Sequence, residues 1–131
     1  MDVLFVEYPK CSTCKRAKKW LDEHGVAYTD RHIVEDRPTA AELGAWRELA
    51  GVPMRRLFNT SGAKYRELGV KAKLDAGMSD EEAFRLLAAD GMLVKRPVLV
   101  VRADDGTGTA IFSFRDPSAW AAALGIAESE A

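Results

Sequence analysis

The chain has 131 residues, 47% hydrophobic and 30% charged, with a formal net charge of −1. That is enough for one domain, 1–131, to bury a core without disulfide staples, and the charge gives no general attraction to nucleic acid or to an anionic membrane. No apolar run approaches the ~20 residues of a membrane-spanning helix, and Met1-Asp2 does not begin a secretory signal, so the sequence reads as cytoplasmic.

The first third reads βαβ. Asp2 to Glu7 is a short, nearly continuous apolar run, the pattern of a strand buried on both faces. Tyr8-Pro9-Lys10-Cys11-Ser12-Thr13-Cys14 follows and carries both of the chain's 2 cysteines. Lys15 to His24 then has helical periodicity. Cys14, Ala17, Trp20 and Leu21 share one face, while Lys15, Arg16, Lys18 and Lys19 mostly face water. His24-Gly25 supplies the helix stop, and Val26 to Val34 reads as a second strand.

From Pro38 to Lys95 the pattern turns helical. Thr39 with Glu42 and Ser79 with Glu82 are capping-box pairs, leading into stripes at Leu43, Trp46, Leu49 and Ala50 and at Phe84, Leu86, Leu87 and Ala88. Gly51-Val52-Pro53 breaks the first helix, Met54 to Phe58 reads as a short turn ended by Asn59-Thr60-Ser61-Gly62, and Asp90-Gly91 stops the last helix. The closing third reads ββα. Val98–Val101 is the most β-prone segment, Asp104–Gly108 is a turn, and Ala110–Phe114 is the returning strand. Asp116-Pro117 starts a final helix through Trp120 and Leu124, with a frayed tail expected from Glu128.

A βαβ unit carrying CxxC, a helical insertion at about 38–95 and a ββα unit make the connectivity of an α/β thioredoxin-like fold. Its mixed four-stranded sheet would hold a parallel first pair, with a right-handed crossover, and an antiparallel last pair.

A CxxC at a strand-to-helix turn can hold a dithiol exposed and activated. Cys11 precedes the helix, where unpaired N–H groups and the dipole stabilise a thiolate, and 5 basic and no acidic residues lie between Lys10 and Lys19. Cys14 is in register with the buried face. Cys11 is therefore read as attacking nucleophile and Cys14 as resolving thiol. Inert packing and half of a zinc site are the other readings of the pair. Zinc would need two more ligands, and His24 and His32, which lack paired spacing, read as structural residues. In such a sheet Pro97 commonly follows a cis peptide bond and faces the dithiol. Arg96 would then share the cleft, joined by Arg115 at the end of the returning strand, forming an anion site.

These residues resemble the arsenate-reductase-like family, the ArsC/Spx group of thioredoxin-fold proteins. The resemblance covers almost the whole chain, through the Tyr8–Cys14 loop, Phe58–Gly69, Asp90–Pro97 and Phe114-Arg115, and is nearest to small Spx/MgsR-type proteins. It implies three activities. Arsenate reductases of the family use one loop cysteine, matching Cys11, and three arginines, of which Arg96 and Arg115 match two; the third falls on Asn59. Glu7 stands where a histidine-containing pattern is expected, and these departures weaken an arsenate site. Spx-like proteins use the CxxC as a redox switch and bind the RNA polymerase α subunit, and Gly51 falls near a glycine of that surface. A third branch resembles glutathione-dependent thiol reductases with a stretch like Asn59–Gly62. The expectation is a thiol–disulfide oxidoreductase with Arg96, Arg115, Asn59 and Pro97 around the substrate. No metal or tightly bound cofactor is implied, and glutathione would be a cosubstrate.

Overall fold

A computed structural model of the chain describes residues 1–127; the tail expected to fray from Glu128 lies outside them. The chain divides into two compact units, Met1–Arg31 with the segment from Arg96 onward, and His32–Lys95.

The first unit is built on a four-stranded sheet of β1 (Asp2–Glu7), β2 (Thr29–His32), β3 (Val98–Arg102) and β4 (Gly108–Phe112), in the order β2-β1-β3-β4. β3 runs antiparallel to both β1 and β4, with Val6 opposite Val98 and Val98 opposite Phe112. β2 follows β1 through the helix α1 (Ser12–Glu23), and the sheet is mixed, as the sequence predicts. α6 (Pro117–Leu124) begins at Asp116, whose carboxylate accepts the Ser118 N–H, with Pro117 in the first turn.

The core follows from the apolar periodicity. Phe5, Ala17, Leu21, Leu99 and Trp120 are fully enclosed. Trp120 packs edge-on against Phe114 at 4.9 Å between centroids, and its indole N–H donates to the Ser113 carbonyl at 2.8 Å. That bond satisfies the one polar atom of a buried aromatic.

The second unit is largely helical. α2 (Ala40–Ala50) opens on the full Thr39–Glu42 capping box and closes at Gly51, whose φ of 64° is the left-handed conformation of a C-cap. A 3-10 turn at Met54–Leu57 is followed by α3 (Ala63–Glu67), α4 (Val70–Asp75) and α5 (Asp80–Ala89). The Ser79 hydroxyl accepts the Glu82 N–H to begin α5. Phe58 bridges to Val94, while the Asn59 N–H donates to the Leu93 carbonyl at 2.7 Å and the Lys95 N–H to the Leu57 carbonyl at 2.8 Å. These bonds tie the chain just before α3 to the chain just after α5. Gly91 is buried with no room for a Cβ, which would overlap the Ile33 carbonyl.

Three expectations are corrected. The second strand is Thr29–His32 rather than Val26–Val34, because its ends leave the ladder. At one end the Val26 N–H bonds back to the Leu21 carbonyl. At the other, His32 Nδ1 accepts the Val34 and Glu35 N–H groups at 3.1 Å each, curling the chain away. The returning strand starts two residues early, at Gly108, so Phe114 and Arg115 lie beyond it. The sequence also resolved no separate helices at α3 and α4, which are only 5 and 6 residues long, too short for a periodic signal. Among the described residues no helix is long and apolar enough to cross a membrane.

Candidate active site

The loop from β1 to α1 positions both thiols. The Cys11 N–H donates to the Tyr8 carbonyl at 2.9 Å, closing a tight turn, and the Cys11 carbonyl accepts the Lys15 N–H at 3.0 Å, starting the helix. Cys11 therefore occupies the N-cap of α1 with extended backbone angles. This is a position whose side chain faces unpaired N–H groups. Cys14, one turn in, is fully buried, while Cys11 is half-buried; both are free thiols.

Their environments push the two thiols apart. Burial works against ionisation of Cys11. The Cys14 N–H and thiol, the Arg96 guanidinium and the Thr13 N–H outweigh it and lower the Cys11 pKa below the usual thiol value. The Cys11 side chain makes no formal capping bond, so these contacts act as electrostatic stabilisation of the thiolate. Burial pushes the Cys14 thiol up to about 12, and the neighbouring Cys11 adds to the rise. A backbone hydrogen bond from Tyr8 and the charge of Arg96 oppose it without reversing it.

Arg96 and Pro97 reach this loop because of strand register. Val98 lies opposite Val6, so the residues before β3 run past the end of β1 from which the loop departs. The Arg96–Pro97 peptide is cis, as expected, and Pro97 is buried. The Arg96 guanidinium carbon lies 5.1 Å from the centroid of the Tyr8 ring, a cation–π contact that holds it beside Cys11. Arg115 is exposed, three residues beyond β4 rather than at its end. Asn59 belongs to the second unit, where its backbone carbonyl accepts the Gly62 N–H at 3.1 Å in a tight turn. His24 and His32 are engaged as the sequence suggests. His24 bonds the Trp20 carbonyl at 2.7 Å through Nδ1 at the end of α1, and His32 takes up the two N–H groups at the end of β2. Among the described residues no group of three or more His, Cys, Asp or Glu could hold a metal ion.

The sequence reading missed a second cluster beside the loop. Glu7, the last residue of β1, is the one buried charged side chain among the described residues, 3% exposed. Lys18 does not simply face water, as its helix position suggests. Its ammonium spans Glu7 at 3.3 Å and Asp30 of β2 at 2.7 Å. Burial raises the Glu7 pKa to about 7, Asp30 adds to the rise and Lys18 opposes it. The available signal was an acid ending an apolar strand next to a CxxC, with Lys18 one helical turn beyond Cys14.

Residues 6–109 match the ArsC family. The chain belongs to the ArsC family. It is 52% identical over 98 residues to the uncharacterized protein YusI of Bacillus subtilis, covering 75% of this chain and 82% of that one. It is 28% identical over 96 residues to the regulatory protein MgsR of the same organism, covering 73% and 74%. Among solved structures, an ArsC family related protein from Bacteroides fragilis superposes with a TM-score of 0.82 at 47% identity, over 92% of this chain and 95% of that one. The fold is that of this family's thioredoxin-like proteins.

Proposed function

We propose that this ArsC-family protein is a cytoplasmic thiol–disulfide oxidoreductase. The Cys11 thiolate attacks a disulfide or a glutathione adduct, one substrate sulfur leaves as a thiolate, and Cys11 carries the other as a mixed disulfide. Cys14 then attacks Cys11, releases the second sulfur and leaves an intramolecular Cys11–Cys14 disulfide. The substrate is reduced by two electrons and the dithiol is oxidised. Glutathione restores the dithiol as cosubstrate. Arg96 binds an anionic group of the substrate, Pro97 shapes the site, and Arg115 completes it.

The observation that carries this reading is the asymmetry of the thiols. Cys11 is half-exposed and favoured as a thiolate, while Cys14 is buried and held as a thiol. Packing alone would raise a buried thiol such as Cys14, but it would not seat a second, half-exposed thiol at a helix N-cap beside an arginine that favours its thiolate. The test is turnover of a glutathione mixed disulfide coupled to glutathione reductase. Activity lost in Cys11→Ser is expected, and absence of any turnover in the wild-type protein would sink the proposal.

A second reading, favoured by the similarity to MgsR, is a redox-sensing regulator that binds the RNA polymerase α subunit. Capture by the α C-terminal domain that changes between oxidised and reduced protein would support it, and turnover without capture would leave the reductase.

A further inference from the structure

Charge is unevenly placed along this chain. Its formal net charge is −1, yet Lys10 to Lys19 holds 5 basic and no acidic residues. Everything outside that run is therefore net negative, and the positive potential is local to the Cys11 loop and the first turns of α1. Lys18 is answered there by Glu7 and Asp30. Lys15, Arg16 and Lys19 are exposed, and among the described residues no ion pair engages them. By contrast, Arg47, Arg55 and Lys71 of the second unit are each met by an acid.

Two of these cations are in line with the nucleophile. Cys11 is the N-cap of α1, and Lys15 and Lys19 follow it at steps of four residues, which makes them neighbours along one exposed row. An open groove of about 470 Å³ lies on this part of the helix, lined by Lys15, Lys18, Lys19, Asp22 and Glu23. That volume falls within the ~300–1,000 Å³ range of ligand clefts. At a rise of ~1.5 Å per residue, Lys15 stands about 6 Å and Lys19 about 12 Å along the helix axis from Cys11. An extended peptide rises ~3.3 Å per residue and turns alternate side chains to the same face. Laid along α1 with its cysteine at Cys11, such a peptide puts the residues two and four positions from that cysteine over Lys15 and Lys19.

We propose that this face of α1 docks an extended acidic segment of a protein disulfide substrate, with Asp or Glu two and four residues from the cysteine that Cys11 attacks. This rests on the thiol–disulfide reading above and names its substrate class. Arg16, beside the row, adds to the field. Asp22 and Glu23 close the cationic stretch and disfavour acids farther along. Attack needs no further reactant. The Cys11 thiolate bonds to the peptide sulfur, the bond from that sulfur to its former partner breaks, and the partner leaves as a thiolate. Opposite charges at an exposed face add specificity and association rate rather than a tight complex.

The test uses three synthetic peptides, each with one cysteine capped as a mixed disulfide with thionitrobenzoate, a chromophore released on attack. The first carries Glu at the second and fourth positions on both sides of the cysteine. The second carries the same residues at the first and third positions, and the third has Gln in place of Glu. Reduced protein should release the chromophore from the first about fivefold faster than from the second at low ionic strength, the worth of two exposed ion pairs. Salt at about 0.5 M should erase the difference. Lys15→Glu with Lys19→Glu should bring the ratio of the two rates to one or below. Any change these substitutions make in the Cys11 thiolate itself acts on all peptides alike and leaves that ratio alone. Lys73→Glu, the same change of charge at an exposed position of α4, should not move it. Equal rates for the two Glu peptides would overturn the docking assignment, as would a ratio that survives the double substitution or falls in Lys73→Glu. A glutathione mixed disulfide slowed by the double substitution as much as the first peptide, each relative to the Gln peptide, would put a small anion on this face and overturn it as well. Protein that attacks none of these disulfides would instead overturn the thiol–disulfide reading beneath it.

Discussion

The Arg96 guanidinium lies over the ring of Tyr8, 5.1 Å from its centroid, and from that seat it acts on the Cys11 sulfur. A residue at the entrance to β3 and one in the loop after β1 thus jointly set the charge around a third. The arginine's flexible stem is restrained by an aromatic face, which leaves less entropy to lose when it pairs with an anion.

Removing that cation should therefore weaken the thiolate. In Arg96→Met, the pH midpoint for alkylation of Cys11 should rise by about one unit, with Tyr8→Leu giving a smaller rise in the same direction. Iodoacetamide labelling of reduced protein across pH, read by peptide mass spectrometry, measures both. An unmoved midpoint in Arg96→Met would mean that the helix N-terminus alone activates the thiol.

The same labelling should separate the two cysteines in the wild-type chain. Cys11 should react as a thiolate below the usual thiol range, whereas Cys14, pushed up to about 12 and buried, should stay slow until the protein is unfolded. Two cysteines that both react like free thiols in the folded protein would contradict the site described here.

Glu7 should leave a signature in stability. Its pKa is about 7 in the folded chain against an ordinary value of 4.5. Between those values the folded state binds more protons than the unfolded state, so this group's contribution to stability is full below pH 4.5 and lost as pH rises through 7. At about 1.4 kcal/mol per pH unit the loss amounts to about 3 to 4 kcal/mol. Glu7→Gln removes the charged form, so urea unfolding should show the variant gaining on the wild type by up to that amount between pH 4.5 and 7. Parallel stability curves would show that the buried carboxylate is better compensated by Lys18 than its burial suggests.

Gly91→Ala should destabilise the His32–Lys95 unit. The added methyl would be driven into the Ile33 carbonyl, a backbone atom that cannot swing aside. A cost of about 2 kcal/mol or more is expected from overpacking a rigid site, read as a lower urea midpoint with unchanged slope. A neutral effect would mean that the Ile33–Val34 backbone is free to shift.

Local chemistry in the sequence determined much of this protein. The β1 boundaries, the Cys14-Ala17-Leu21 face of α1, the Thr39–Glu42 box, the Gly51 stop and the Asp116-Pro117 helix start all depend on neighbours within a turn or two, and each stands as predicted, although α1 begins at Ser12, three residues before the periodic run. The roles proposed for Cys11 and Cys14 were legible for the same reason: one precedes a helix and the other lies on its apolar face. Strand ends were less legible, because they depend on where a ladder partner stops. His32 turning the chain out of β2 leaves no periodic trace. Least legible was the Glu7–Lys18–Asp30 cluster. By sequence spacing Lys18 is one more lysine on a basic helix face and Asp30 one acid in a polar strand. Only the packing of β1, α1 and β2 brings the three together. Burial of Glu7 among them then gives an ordinary carboxyl group a proton affinity near neutrality, through desolvation and charge interactions that exist only in the folded chain.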